Sequence, residues 1–163
     1  MLLIIGNIIA LISSIIMVYT GIIKEKKKLI YVQSIQILLF AISNLVLNGI
    51  TGFIINILNF VRNILCYKDK LGLIEKIILT VLALVLTILF NNKSIIGYIP
   101  FISATTYLWL MTTKDIVKFK LLIIFTMVAW VIYDLSIQSY TATAFNIMTI
   151  ISNIIGIIKV KKK

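Results

Sequence analysis

Amide side chains spaced three and four residues apart inside long apolar runs are the groups best placed to do chemistry in this chain. Asn56, Asn59 and Asn63 fall at i, i+3 and i+7, and Asn146, Thr149 and Asn153 repeat that spacing. On a helix such residues share one face. Each carboxamide carries two donors and two acceptor lone pairs, and leaving it unpaired in hydrocarbon costs several kcal/mol. The two stripes must therefore point at each other, at another helix or at water. One reading is a central passage that offers neutral hydrogen-bonding groups to a polar solute. The plainer reading is helix-to-helix adhesion, at about 1 kcal/mol or less for each contact.

Four further residues invite a functional reading. Asp134 is the only acid well inside an apolar run, and Asn44 stands ninety residues before it. Such an acid suits a proton, a cation or a substrate, unless it is wetted near the turn at Ser136–Ser139. Arg62 lies about one turn from a helix end, where it can snorkel to the interface or act as a gate. The two charges belong to opposite depths, so no ion pair between them is expected. Pro100 is expected to kink its helix as a hinge, and Ala10 holds the matching place in the first half, so the hinge would not be symmetric. With no His and one Cys, Cys66, the chain offers no disulfide framework, no zinc site and no His-based acid–base pair. No cofactor, metal or enzymatic activity is expected.

The elements that position these groups follow from composition. The 163 residues are 61% hydrophobic and 13% charged, whereas soluble chains run at about 45–50% apolar and about 25% charged. Apolar runs of roughly 18 residues or more recur along the chain, as in a polytopic helical membrane protein. No period-2 alternation suggests a barrel. The net charge of +11 comes from lysines in short loops, which mark orientation and meet anionic headgroups instead of nucleic acid. The start of the chain lacks a basic n-region and a cleavage site, and reads as a first membrane helix.

Seven helices are expected, at about 2–23, 29–47, 50–67, 71–90, 94–112, 121–137 and 140–158. The Asn48-Gly49 pair marks a tight turn between the second and third. All the basic residues except Lys93 and Arg62 fall in the first, third and fifth loops, at their helix ends, or at the C-terminus. The positive-inside rule then puts the N-terminus outside and the C-terminus in the cytoplasm.

The polar positions repeat. Ser43, Asn44, Asn48, Thr51, Asn56, Asn59, Arg62 and Asn63, shifted by ninety, become Tyr133, Asp134, Gln138, Thr141, Asn146, Thr149, Ser152 and Asn153. Seven of the eight land on a non-aromatic polar residue where chance gives about three. The same offset pairs Lys24 with Lys114, Glu25 with Asp115 and Lys28 with Lys118. Two three-helix units, 1–68 and 94–163, are therefore expected around a linker helix in 69–93. Because three is odd, the extra helix gives both units the same orientation, a parallel 3+1+3 plan. The linker is apolar nearly all round and suits lipid.

Three stretches resemble the YgjV-like family of bacterial inner-membrane proteins: Asn44–Tyr67 (NLVLNGITGFIINILNFVRNILCY), Ile99–Lys114 (IPFISATTYLWLMTTK) and Val128–Lys159 (VAWVIYDLSIQSYTATAFNIMTIISNIIGIIK). The most specific pieces are Asn59-x-x-Arg62, Pro100 and the Trp130–Tyr133 run. The resemblance implies the bacterial inner membrane and names no substrate. It also suggests a register in which Asn153 answers Asn59 and Gly156 stands where a second Arg would be. More distantly, the 3+1+3 plan is similar to SWEET and PQ-loop sugar facilitators and related vitamin transporters. In SWEETs an Asn pair on the third and seventh helices lines the pocket, a role open here to Asn56 with Asn146 or Asn59 with Asn153. This chain has one proline where SWEETs use several as hinges, and it lacks the PQ dipeptide. The expected function is a facilitator of a small neutral polar solute, worked by rocking of two bundles. The alternative is a non-transporting scaffold or lipid-interacting protein. The expected partners are the bilayer and the solute, with a homo-oligomer allowed.

Overall fold

The computed structural model describes residues 1–20, 26–111 and 116–161. Among them are seven α-helices and no strand: α1 Leu2–Thr20, α2 Lys26–Val46, α3 Ile50–Tyr67, α4 Leu73–Phe90, α5 Ile99–Leu110, α6 Ile116–Ser136 and α7 Tyr140–Lys161. A short 3₁₀ helix, Ser94–Tyr98, precedes α5. Lys24, Glu25, Lys114 and Asp115, which carry most of the expected match between the first and fifth loops, lie outside the described residues.

The bounds of α3 are those the sequence suggests. α2 and α6 begin earlier than expected, running back into lysine-rich sequence, because Lys is a good helix former and does not stop a helix by itself. Pro100 departs from expectation. It sits at the start of α5, where no intrahelical N–H is needed, so it makes no interior kink. The break in this segment is the change from the 3₁₀ helix to α5 just before it.

α2 packs between α1 and α3, and α6 packs between α5 and α7. α1 also touches α7 and α3 touches α5, which closes the six into a ring. α4 lies outside that ring against α3 and α5. It buries Leu79, Ala83 and Thr87 at four-residue steps, one narrow face, and leaves most of its large apolar side chains exposed.

The polarity of the molecule is inverted relative to a soluble bundle. Its exposed surface carries Ile, Leu and Val from every helix, whereas Ser13, Ser14, Ser43, Asn44, Thr51, Asn56, Asn63, Thr126, Asp134 and Asn146 are buried. In hydrocarbon the apolar side chains need no shelter and the polar ones need partners. α1, α3 and α4 contain spans long and apolar enough to cross a membrane.

Candidate functional site

The polar interior has two centres, one near each end of the ring. The first is built by the turns that join α2 to α3 and α6 to α7. Asn48 and Gln138 both adopt left-handed backbone, at φ 58° and 59°. Around them the hydrogen bonds coincide. Asn48 N–H reaches Leu45 O at 3.1 Å, and Gln138 N–H reaches Leu135 O at 3.2 Å. Gly49 N–H donates to Asn44 O at 2.7 Å, and Ser139 N–H donates to Asp134 O at 2.8 Å. Phe53 N–H reaches Gly49 O at 2.9 Å, and Thr143 N–H reaches Ser139 O at 3.0 Å. Each bond of one turn has its counterpart ninety residues on, and both turns end the preceding helix through a left-handed residue.

The first turns of α3 and α7 leave backbone N–H groups without intrahelical partners. Each is capped by a side chain from another helix. The Tyr133 hydroxyl accepts from Gly52 N–H at 2.8 Å and lies 3.2 Å from the Thr51 hydroxyl. Asn7 Oδ1 accepts from Thr141 N–H at 3.1 Å and from its hydroxyl at 3.2 Å. Asn7 Nδ2 donates to Gln138 O at 3.1 Å, and Asn92 Nδ2 donates to Asn48 O at 2.8 Å. Both left-handed turns therefore have their carbonyls tied to a distant asparagine.

Behind these caps sit the matched amide and acid positions. Asn44 on α2 and Asp134 on α6 are both buried, as are Asn56 on α3 and Asn146 on α7. Asn146 Nδ2 donates to Asp134 Oδ2 at 2.8 Å. The carboxyl is 2% exposed, so it is not the wetted group that its nearness to the helix end allowed. Asn44 is buried with neither Nδ2 nor Oδ1 hydrogen-bonded. Such orphaned polar groups are uncommon in native interiors.

The second centre surrounds Arg62, 4% exposed and little more than one turn before α3 ends. Its Nη1 donates to Asn59 Oδ1 at 2.9 Å, and its Nε and Nη2 donate to Asn63 Oδ1 at 3.1 and 2.9 Å. The guanidinium lies 4.8 Å from the Tyr107 ring centre on α5, and Asn63 Nδ2 reaches Gln33 Oε1 on α2 at 3.4 Å. A side chain held this way does not snorkel.

The stripes are thus divided. Asn59, Asn63 and Arg62 form one cluster, and Asn146 joins Asp134 in the other. Thr149 and Asn153 are half-buried and bond carbonyls of their own helix, Phe145 O at 2.9 Å and Thr149 O at 2.8 Å. A cavity of about 20 Å³ lies between α3, α4 and α5, with Asn59, Arg62 and Thr105 among its lining. No residue of the α7 stripe lines it. Tyr133, Asn7, Asn92, Tyr107 and Gln33 were not singled out as site residues in the sequence. Tyr133 was the one mismatch in the ninety-residue register, and that mismatch was the available signal.

Apolar outside and hydrogen-bonded within, the fold is that of an integral membrane protein built from helices. The chain belongs to the Imp-YgjV family of bacterial inner membrane proteins, whose match spans residues 4–163. No curated protein and no solved structure matches it. The expected likeness to sugar facilitators is not shown by these comparisons.

Proposed function

We propose that this chain is a multi-pass inner-membrane facilitator of a small neutral polar solute. In this reading α1–α3 and α5–α7 are parallel repeats joined by α4, with the N-terminus outside and the C-terminus cytoplasmic. The packing pattern supports it, since exchanging the two units, ninety residues forward for the first and back for the second, carries α1–α2 onto α5–α6, α2–α3 onto α6–α7 and α3–α5 onto α7–α1. Ser13 Oγ bonding Gln36 O at 2.8 Å and Ser103 Oγ bonding Thr126 O at 3.4 Å add a further matched pair.

The observation that carries the function is the burial of Asn44 with Asn56, and of Asp134 with Asn146, at matched places in the two units. Amides of this kind bind hydroxyl and amide groups without selecting a charge. Rocking of the units would break the Tyr133–Gly52 and Asn7–Thr141 caps, which close the turn end. Asp134 is the group available for proton coupling, and the Arg62 cluster closes the opposite end. No catalytic pair is proposed, and the partners are lipid and solute.

One observation favours the second reading, a scaffold that transports nothing. The hydrogen bonds of Asn59, Asn63, Asn146, Thr149 and Asn153 to other groups all close within one repeat. Uptake into proteoliposomes separates the two. A library of neutral metabolites is first screened for a rise in melting temperature, since a solute that binds only the folded state raises it. Changing Asn56→Leu and Asn146→Leu together should then abolish flux of the hit in a folded protein. Flux unchanged in the double variant retires the pocket.

A further inference from the structure

Arg62 poses a charge problem that closing one end of the bundle does not answer. It is 4% exposed inside a membrane-crossing helix, and its hydrogen-bond acceptors are two neutral amide oxygens. A guanidinium has five N–H groups. Three are given to Asn59 and Asn63, which leaves one on each terminal nitrogen. The Tyr107 ring offers the cation a weak negative face. Among the described residues no carboxylate is paired with Arg62, and the cavity lining carries none. Buried charges are ordinarily paired, and an unpaired cation in a water-poor interior is a strong attractor for an anion.

The cavity defines what could answer that charge. Arg62, Asn59 and Thr105 supply its polar lining, and Ile55, Leu58, Leu79, Ala83, Ala104 and Leu108 complete its wall. About 20 Å³ is room for little more than one water-sized body. That space suits a small anion better than phosphate or sulfate. We infer that Arg62, with Asn59 and Thr105, forms a site between α3, α4 and α5 for a small monovalent anion, either a halide or the carboxylate end of a solute. The guanidinium supplies charge and two free donors, Asn59 holds it in place, and the Thr105 hydroxyl adds a donor from α5. The site is separate from the Asn44–Asp134 centre and does not depend on that centre binding anything.

The test uses the purified full chain in detergent, exchanged into sodium gluconate, a bulky-anion background. Chloride and formate are titrated separately, reading ³⁵Cl line broadening and the melting midpoint. The expected result is a saturable rise of roughly 2–5 °C, with chloride broadening reversed by bromide. Formate raising the midpoint and displacing chloride points to a carboxylate-bearing ligand, and chloride binding that formate cannot displace points to a halide. Either outcome supports the site. Arg62→Gln should remove both signals. Because that change strikes a buried network, Ala104→Leu is the second variant, filling the cavity while leaving the Arg62–Asn59–Asn63 bonds intact. It too should lose the anion response in a protein that still elutes as folded. Wild-type protein indifferent to both anions, or Ala104→Leu responding as wild type does, overturns the inference.

Discussion

The α2–α3 pair and the α6–α7 pair share the geometry of their turns and differ in their chemistry. Both turn through a left-handed residue with the same bonds, and both bury a polar side chain, Asn44 or Asp134, two residues before the helix ends. Yet Ser43 faces Tyr133 across the register, Asn44 faces Asp134, and Gly52 faces Ala142. The changes are linked. Tyr133 crosses to α3 and fills the space beside Gly52, where an added Cβ would lie 2.6 Å from the ring and 2.5 Å from Asn44 Nδ2. Ser43 is too short to cross, so its hydroxyl bonds Gly6 O on α1 at 2.8 Å. Ala142 keeps its methyl and packs against Ala10 and Phe40. Backbone demand conserves the turn, while the side chain that reaches across the ring decides what its neighbour can be.

The sharpest way to break this comparison is to remove the crossing residue. Tyr133 is fully buried, with Trp130 edge-on at 5.8 Å. Tyr133→Ala should cost about 3–5 kcal/mol, whereas Ser43→Ala should cost about 1 kcal/mol, one hydroxyl bond to an already helical carbonyl. Tyr133→Phe isolates the cap and should cost about 1–3 kcal/mol, because Gly52 N–H is left buried and unpaired. Denaturation in detergent measures all three. Equal losses at positions 43 and 133 would mean that the two pairs are held alike and that the crossing contact contributes nothing of its own.

The glycine partner gives the next effect. Gly52→Ala should lose about 1–3 kcal/mol by overpacking, despite the better helix propensity of Ala. The reciprocal Ala142→Gly should lose only about 1 kcal/mol, the ordinary helix cost. A stabilised Gly52→Ala protein would show that Tyr133 has room to withdraw.

Asp134→Asn makes the second pair resemble the first at its one acidic position. The substituted side chain still offers Asn146 an acceptor, so the fold should change by under about 1 kcal/mol. If Asp134 carries protons, the pH dependence of flux should flatten. A profile identical to wild type assigns the carboxyl to structure alone.

How much of this was legible beforehand follows from what each signal depends on. Helix number, the bounds of α3 and the turn at Asn48-Gly49 rest on local pattern and were readable. The ninety-residue register predicted that Asn44 and Asp134, and Asn56 and Asn146, would sit alike, and each pair is buried. Contacts that depend on three-dimensional reach were not readable. Nothing in the local pattern marks Asn7, Asn92 or Tyr107, and Tyr133 stands out only as the mismatch in the ninety-residue register. Pro100 misled because its effect depends on whether it falls before or inside the helix, which a proline alone does not reveal.

The smallest effect tests the shared backbone itself. Left-handed backbone costs an L-residue roughly 1–2 kcal/mol, less for Asn, whose short polar side chain bonds locally, and nothing comparable for Gly. Gln138 has no such local advantage at φ 59°, while Asn48 does at φ 58°. Gln138→Gly should therefore stabilise by up to about 1 kcal/mol, and Asn48→Gly by a few tenths at most. Both carbonyls stay where Asn7 and Asn92 bond them, but Asn48→Gly also gives up the 3.2 Å bond from Asn92 Nδ2 to Asn48 Oδ1, which trims its gain further. A gain at 138 larger than at 48 means that the turns differ only in how well the residue suits a common geometry. Equal gains would mean that Asn48 draws nothing from its own side chain, and that the likeness of the two turns extends to their strain.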